Sequence, residues 1–513
     1  MRVRSGSWSG LALSLCLSTS LVGCGNDLDA PSTSQEASAL TASSRTYLVS
    51  FASGTIPSNA AAIVSAAGGS IVTSYTNLGI VLAKTSSTGF ASALRGDPRV
   101  DRVAAANAVT SRIEIVKSKS APHPVAALKA PGSDPLSGRQ WDMDQIHSPQ
   151  ARAINAGKSS VRVGVLDSGV DITHPDLAGQ IDAAASVSCY GGVPNTDPAV
   201  WTNDLIGHGS HVAGTIAAKK NGIGIVGVAP GVKIAAVKLD ANSFDDPNFG
   251  LVLADAFVCG IDWAIGHNFD LMNASLSIDP FTGPIDDIFC SNDPDREAVI
   301  KMVRQAVLKA ANKKITLISS TANMFLDLAN LPGSGPGVQC KVLPVQLPRV
   351  IGVSSVGYTK KLSWFSDYGK GAVDLTGPGG DNLIPDPLVT DTDASGQVLS
   401  SVPEGSYYFQ AAADWNGQVR DCSSGTCATY AYLQGTSQAT PHVTGVAALA
   451  ISKYGKLSPE ALLTVLSLTA TPLPCPASPY DPGQTGQPAT CKGSPLYNNF
   501  YGAGEVNALA VVR

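Results

Sequence analysis

Three short segments, far apart in the chain, carry side chains that together could cleave an acyl bond. Asp167-Ser168-Gly169 follows an apolar run, His208 stands in Gly207-His208-Gly209-Ser210-His211, and Ser437 stands in Gly435-Thr436-Ser437-Gln438-Ala439-Thr440-Pro441-His442. A serine hydroxyl is a weak nucleophile until an imidazole takes its proton. The imidazole serves as that base when a carboxylate fixes its tautomer. Here the three types occur in the chain order Asp, His, Ser. Asn323, after the apolar run 315–318, adds an amide that can donate to the oxyanion formed on attack.

Each of these residues needs an element to hold it. Residues 161–166 read as a buried strand ending at Asp167, and catalytic groups of open parallel sheets sit beyond the carboxyl ends of strands. His208 and Ser437 each open a helix candidate. Read alone, Ser437 is an N-cap serine. Followed by Ala439-Thr440-Pro441-His442-Val443 and Gly445, it reads as a nucleophile whose helix start also offers backbone N–H groups to an oxyanion. His208 and His211 stand one turn apart. A metalloprotease helix would need Glu after the first His and a second His four positions on, and neither is present. Gly222, Gly224 and Gly227 have dinucleotide-loop spacing, but a helix precedes them and the strand 233–239 follows, the reverse of the required order.

From about Gln140 apolar strands alternate with Ala-rich helices: strands at 161–166, 233–239, 315–319 and 350–356, helices at 212–218 and 251–264. This pattern predicts an α/β fold, a parallel sheet with helices on both faces. Upstream, 46–51, the two halves of 70–84, and 100–109 read as strands, and 59–67 and 88–94 as helices. Strand-helix-strand-strand-helix-strand fits a small ferredoxin-like α+β domain. Residues 111–138 mix Lys, Pro, Ala, Ser and Gly without periodicity and read as an exposed linker. Segments 180–203, 279–297 and 380–430 read as loop insertions, each carrying Cys.

The motifs resemble those of the subtilisin-like serine proteases (subtilases): Asp167-Ser168-Gly169-Val170-Asp171 with His174-Pro175-Asp176-Leu177, then Gly207-His208-Gly209-Ser210-His211-Val212-Ala213-Gly214-Thr215, then the Ser437 segment. The resemblance implies a subtilisin-like sheet in 139–513. It implies Ser437 as nucleophile, His208 as base with His211 structural, Asp167 as orienter and Asn323 in the oxyanion hole. It implies that 45–110 is a propeptide that assists folding and blocks the site, with activation cleavage in 111–138. Ser275-Leu276-Ser277 resembles the family's strand that pairs with substrate backbone, a form of β-augmentation. The segment 221–227 resembles a subtilase calcium loop, with Asp176 and Asn221 giving side chains, Lys219, Ile223 and Ile225 carbonyls, and Gln140 a further ligand. Oxygen-only ligands suit calcium. Three positions depart from the family. Ala322 stands where Gly usually precedes the Asn, Ser277 replaces a Gly, and Gln438 replaces a Met. A loop tilted by Ala322 would lower activity. Two other readings keep the same residues: a catalytically weak or inactive subtilase-fold lipoprotein acting by binding, and an esterase.

The N-terminus and the composition set the context. Arg2 and Arg4 precede a short apolar run, 11–17, which reads as an export signal, too short for a permanent span. Leu21-Val22-Gly23-Cys24 resembles the bacterial lipoprotein box, so 1–23 is the expected signal and Cys24 the expected lipid anchor. Residues 24–44, rich in Ser, Thr and Ala, read as a tether. Eight further Cys in an exported chain predict disulfides; Cys422/Cys427 and Cys475/Cys491 are the nearest pairs, and the remaining pairing is open. An apolar share of 44% over 513 residues supports two or three domains with sizeable cores. With net charge -5 and no basic stripe, nucleic acid is not an expected partner. Protein or peptide substrates, the chain's own propeptide and a membrane surface reached by lipid are, for a monomer released outside a bacterial cell.

Overall fold

The computed structural model describes residues 44–107, 110–112, 134–241, 243, 250–276, 294–331, 340–383, 396–415, 417–423, 425, 427–484 and 486–513. The export signal, Cys24, nearly all of the 24–44 tether, Ser277 and most of the 111–138 linker lie outside them.

The small domain runs β1 (Arg45–Phe51), α1 (Ala60–Ala66), β2 (Gly69–Tyr75), β3 (Ile80–Thr85), α2 (Phe90–Arg95) and β4 (Val100–Ala105). Its antiparallel sheet has the order β2-β3-β1-β4. The two-residue period of a strand divides its side chains between two cores. Val49, Val81 and Val103 meet the helices at Ile63, Val64 and Phe90. Leu48, Leu82 and Ala104 join the core of the larger domain instead. A short strand, β5 (Thr110–Arg112), follows.

The larger domain continues with α3 (Trp141–Gln145), α4 (Ser148–Ile154), β6 (Arg162–Asp167), β7 (Val187–Ser188), α5 (Pro198–Trp201), α6 (His208–Ala217), β8 (Lys233–Lys238), β9 (Leu251–Leu253), α7 (Ala254–Gly266), β10 (Leu271–Ala274), α8 (Pro294–Asn312), β11 (Thr316–Ser320), β12 (Val350–Val356) and β13 (Leu375–Pro378). Then come β14 (Val398–Ser401), α9 (Tyr407–Ala411), β15 (Gln418–Asp421), β16 (Ala428–Leu433), α10 (Thr436–Tyr454), α11 (Pro459–Thr469), β17 (Gly493–Ser494), β18 (Tyr497–Asn498) and α12 (Ala508–Val512). The main sheet has the order β13-β12-β11-β10-β6-β8-β7, with parallel pairs. Val163, Val165, Ile318 and Val353 face α6 and α10, while Leu166, Met272 and Leu317 face α7 and α8. Helices thus cover both faces, as the sequence predicts.

One expectation is corrected. Residues 251–264 are not one helix: 251–253 form β9, which pairs antiparallel with β5. An apolar stretch running into an Ala-rich one hides the break, because the strand is set by a partner far away in sequence. The insertion at 380–430 is not irregular throughout; it contributes β14, β15 and α9, and β16 completes a sheet of order β14-β16-β15. Cys189–Cys259, Cys422–Cys427 and Cys475–Cys491 are disulfides, and Cys340 is also disulfide-bonded.

Candidate active site

The sheet brings the candidate residues to one edge. Asp167 ends β6. Asn273 of β10 pairs with Val165 of β6, and Ser275 follows just past the end of β10. Asn323 lies just past β11, the next strand along.

Asp167 is fully buried, and its Oδ1 accepts from Ser168 N at 2.8 Å. His208 Nδ1 stands 2.7 Å from Asp167 Oδ1 and 2.9 Å from Oδ2. An N–H donating to that carboxylate puts the proton on Nδ1 and leaves Nε2 as the basic atom. Asp204, missed in the sequence, fastens the pair. Its Oδ1 accepts from Ser168 Oγ (2.7 Å) and Gly207 N (2.8 Å), its Oδ2 from Ser210 N (2.9 Å) and Ser210 Oγ (2.6 Å). The carboxylate therefore caps the exposed N–H groups that open α6 and ties them to the residue after Asp167. An Asp four residues before His208 was the available signal. Glycines set the approach: a Cβ on Gly209 would stand 2.0 Å from Gly169 O.

His211 is also buried but lacks a carboxylate. Its Nε2 stands 3.1 Å from Ala431 O and 3.3 Å from Val398 O, and burial, then the neighbouring His208, push its pKa down to about 3. It stays neutral and fastens α6 to β14 and β16.

Ser437 lies in the first turn of α10. Its Oγ donates to Ser275 O at 2.9 Å, and Ser275 Oγ donates back to Ser437 O at 2.8 Å. His208 Nε2 is buried and makes no hydrogen bond, so the His208–Ser437 bond is not formed in this structure. Asn323 Oδ1 accepts from Thr436 N (2.8 Å) and Thr436 Oγ1 (3.0 Å). With Oδ1 held there, the amide nitrogen is the donor Asn323 has left for a substrate oxygen. Ala322 before it has φ +83°, the left-handed region where glycine is at home. Asp367 holds this turn: its N donates to Ala322 O (3.0 Å), and its Oδ1 accepts from Met324 N (2.8 Å) and Leu326 N (2.9 Å). These bonds hold the turn in its left-handed course.

The candidate calcium ligands also converge. Asp176 is fully buried; burial, with Asp134 nearby, pushes its carboxyl up to about 7, and among the described residues no basic side chain pairs with it. Tyr430 Oη (2.8 Å), Ile225 N (3.2 Å) and Asn221 Nδ2 (3.2 Å) donate to it. Among the described residues no backbone N–H donates to the carbonyls of Lys219, Ile223 or Ile225. Gln140 Nε2 is buried without a partner. A buried carboxylate and carbonyls without backbone donors fit a hard cation, whereas Gln140 Oε1 already accepts from Val226 N at 3.0 Å. Among the described residues no cluster of three His, Cys, Asp or Glu is placed for a metal, and most donors here are carbonyls.

A family model described as the subtilase family matches residues 158–504. The chain belongs to the subtilase family. Among curated relatives, fervidolysin from Fervidobacterium pennivorans is 31% identical over 351 residues, 65% of this subtilase and 41% of the relative. Subtilisin E from Bacillus subtilis is 29% identical over 333 residues, 64% of this chain and 66% of the relative. The matched region is thus about two-fifths of the length of the one and just under two-thirds of the other. The fold also matches the crystal structure of the epidermin leader peptide processing serine protease from Staphylococcus aureus. There the TM-score is 0.64 and the identity 19%, covering 92% of this subtilase and 98% of that chain.

Proposed function

We propose that this subtilase is a serine endopeptidase. Ser437 attacks a peptide carbonyl while His208 takes its proton, and His208 later gives that proton to the leaving amine. Asp167 holds His208 in the required tautomer, and Asn323 with the Ser437 N–H holds the oxyanion. An acyl-enzyme on Ser437 is then hydrolysed. The observation that carries the reading is the convergence of the three strand ends, with His208 Nδ1 2.7 Å from Asp167 and Ser437 bonded to Ser275 just past the neighbouring strand β10. Rotation about the Ser437 χ1 bond delivers Oγ to His208 when substrate displaces the Ser275 contact. Ser275, Leu276 and Ser277 offer backbone to the substrate.

In this reading 45–110 is an inhibitory propeptide, 111–138 carries the activation cleavage and 139–513 is the peptidase. The antiparallel pairing of Thr110–Arg112 with Leu251–Leu253 supports it. So do Tyr75 Oη donating to Gly192 O (2.7 Å) and Asn77 N donating to Asp262 Oδ1 (3.0 Å). We further propose export from a bacterial cell with a lipid on Cys24. Cleavage in the linker leaves that lipid on the propeptide, so the monomeric enzyme is released when the propeptide goes. Among the described residues no helix is long and apolar enough to cross a membrane. Asp176, Asn221, Gln140 and the carbonyls of Lys219, Ile223 and Ile225 are proposed to hold a calcium ion, which would tie the loop at 219–225 to the domain.

The test is a fluorophosphonate probe on the matured chain, with peptide and ester substrates compared. Labelling at Ser437, absent in Ser437→Ala, with peptide cleavage, is expected. No labelling of the matured chain would favour the binding-only reading, towards which the Ser437–Ser275 bond points; ester turnover alone would favour an esterase.

A further inference from the structure

We propose that Tyr408, contributed by the 380–430 insertion, is a positioning residue for His208. The inference rests on the triad reading above. The insertion lies directly on the segment that leads into His208. Tyr407 N donates to Leu205 O (2.8 Å) and Tyr408 N to Ile206 O (3.0 Å), so the free N–H groups that open α9 are satisfied by this segment. Ser406, whose Oγ caps α9 by accepting from Phe409 N (3.3 Å), packs on Gly207. A Cβ at Gly207 would come within 2.5 Å of Ser406 Oγ, so the contact needs glycine there.

This seating puts the Tyr408 ring against the imidazole. The ring centroids of His208 and Tyr408 are 5.5 Å apart and the planes meet at 71°, an edge-to-face pair, with Tyr408 2% exposed. The same insertion grips α6 further along. Ser401 Oγ donates to Ser210 O (3.0 Å) and Ser400 Oγ to His211 O (2.7 Å).

The physical need for such a contact is specific. Asp167 anchors His208 at Nδ1, and with the ring's attachment at Cβ this leaves the imidazole a limited swing, a tilt of its plane, for packing to restrain. Nε2 makes no hydrogen bond to stop it. A ring packed edge-on blocks the swing and keeps Nε2 on the Ser437 side. Near-attack geometry matters more to the chemical step than to substrate binding, so the contact should act on kcat and not on KM.

The test compares Tyr408→Phe, Tyr408→Leu and Tyr408→Ala in the matured chain, with kcat expressed per site titrated by a fluorophosphonate. This counts only folded protein. Leu keeps the buried apolar volume without the ring. Expected is a fall in kcat of about tenfold for Ala and Leu with KM within about twofold, and recovery of most of it by Phe, as an edge-to-face pair of this kind is worth about a decade in rate. Unchanged kcat in Ala, or an equal loss in Phe, overturns the proposal. A second readout does not depend on turnover: exchange with water of the imidazole proton that His208 shares with Asp167, followed by proton NMR. Faster exchange in Leu and Ala than in Phe supports the proposal; equal exchange in all three overturns it. Wild-type chain that is neither labelled nor active would sink the triad reading, while this second readout would still judge Tyr408.

Discussion

Ala322 is the departure from the family that the structure allows to be priced. Its φ of +83° puts a Cβ in the left-handed region, which costs a non-glycine residue about 1–2 kcal/mol. Ala322→Gly removes that strain. It also removes a buried methyl, since Ala322 is 4% exposed among Leu328, Leu331, Val342 and Val345, at about 0.8 kcal/mol. It adds unfolded-state freedom worth about 0.4–1 kcal/mol. Gain and loss nearly cancel, so the expected change in stability is within about 1 kcal/mol of zero, a midpoint shift of only a few degrees. Activity should move little as well. The Asn323 amide is fixed by Thr436, and the turn is held from both sides by Asp367. Thermal unfolding and kcat/KM on a peptide substrate check both numbers, and kcat/KM should stay within about threefold of the parent, roughly 0.7 kcal/mol. A rise of about tenfold or more in Ala322→Gly would refute the reasoning, because it would mean that alanine tilts the oxyanion loop. A loss of more than about 2 kcal/mol would refute the assigned strain.

Asn323→Ala should lower kcat by about 10²–10³ with KM little changed, since the donor acts on charge that develops after binding; a parallel rise in KM would count against it. Docking of the cleaved small domain should weaken as pH rises through about 6. Asp255, 2% exposed beside Tyr75, has its carboxyl pushed up to about 6 by burial; Asp262, bonded by Asn77, is raised to about 6 the same way. A group with a raised pKa in the docked state favours docking below that pKa and opposes it above, so gel filtration should find the small domain retained at pH 5 and released more readily at pH 7.5. Asp255→Asn should flatten that dependence. Chelation should lower the unfolding temperature, and calcium should restore it, in the parent but not in Asn221→Ala; a parent indifferent to chelator would remove calcium from the proposal. Dilute peroxide should leave activity largely intact because Gln438 offers no thioether beside Ser437, and rapid loss traced to the active-site pocket would contradict this.

The candidate catalytic residues were legible because each sits in a run whose small neighbours are required sterically. Gly209 must pass Gly169 O, and a Cβ on Gly214 would meet Ser401 Oγ at 2.2 Å, so these motifs tolerate few other residues. The core strands were legible as short apolar runs between Ala-rich helices, because strands of a parallel sheet are covered on both faces. What was hidden depends on partners distant in sequence. Asp204 is an ordinary acidic residue until Ser168 and Ser210 converge on it. Tyr408 is an aromatic in a loop until Ile206 O accepts its N–H and seats it against His208. β9 reads as helix until β5 pairs with it. The disulfide Cys189–Cys259, with its ends 70 positions apart, could not be read, whereas Cys422–Cys427 and Cys475–Cys491, separated by 5 and 16, could.

The two histidines that open α6 make the general point about function. They have the same side chain, lie one turn apart, and are both buried. His208 has a carboxylate 2.7 Å from Nδ1, so an imidazolium formed there has a fixed counter-charge to meet. His211 has two carbonyl oxygens and no counter-charge, and burial holds it neutral with a pKa of about 3. An imidazole that is to act as a general base needs such a counter-charge, and only the first environment supplies one. His211 serves the chemistry by another route. By tying α6 to β14 and β16 it fixes the helix on which His208 stands to the same insertion that presses Tyr408 against the imidazole.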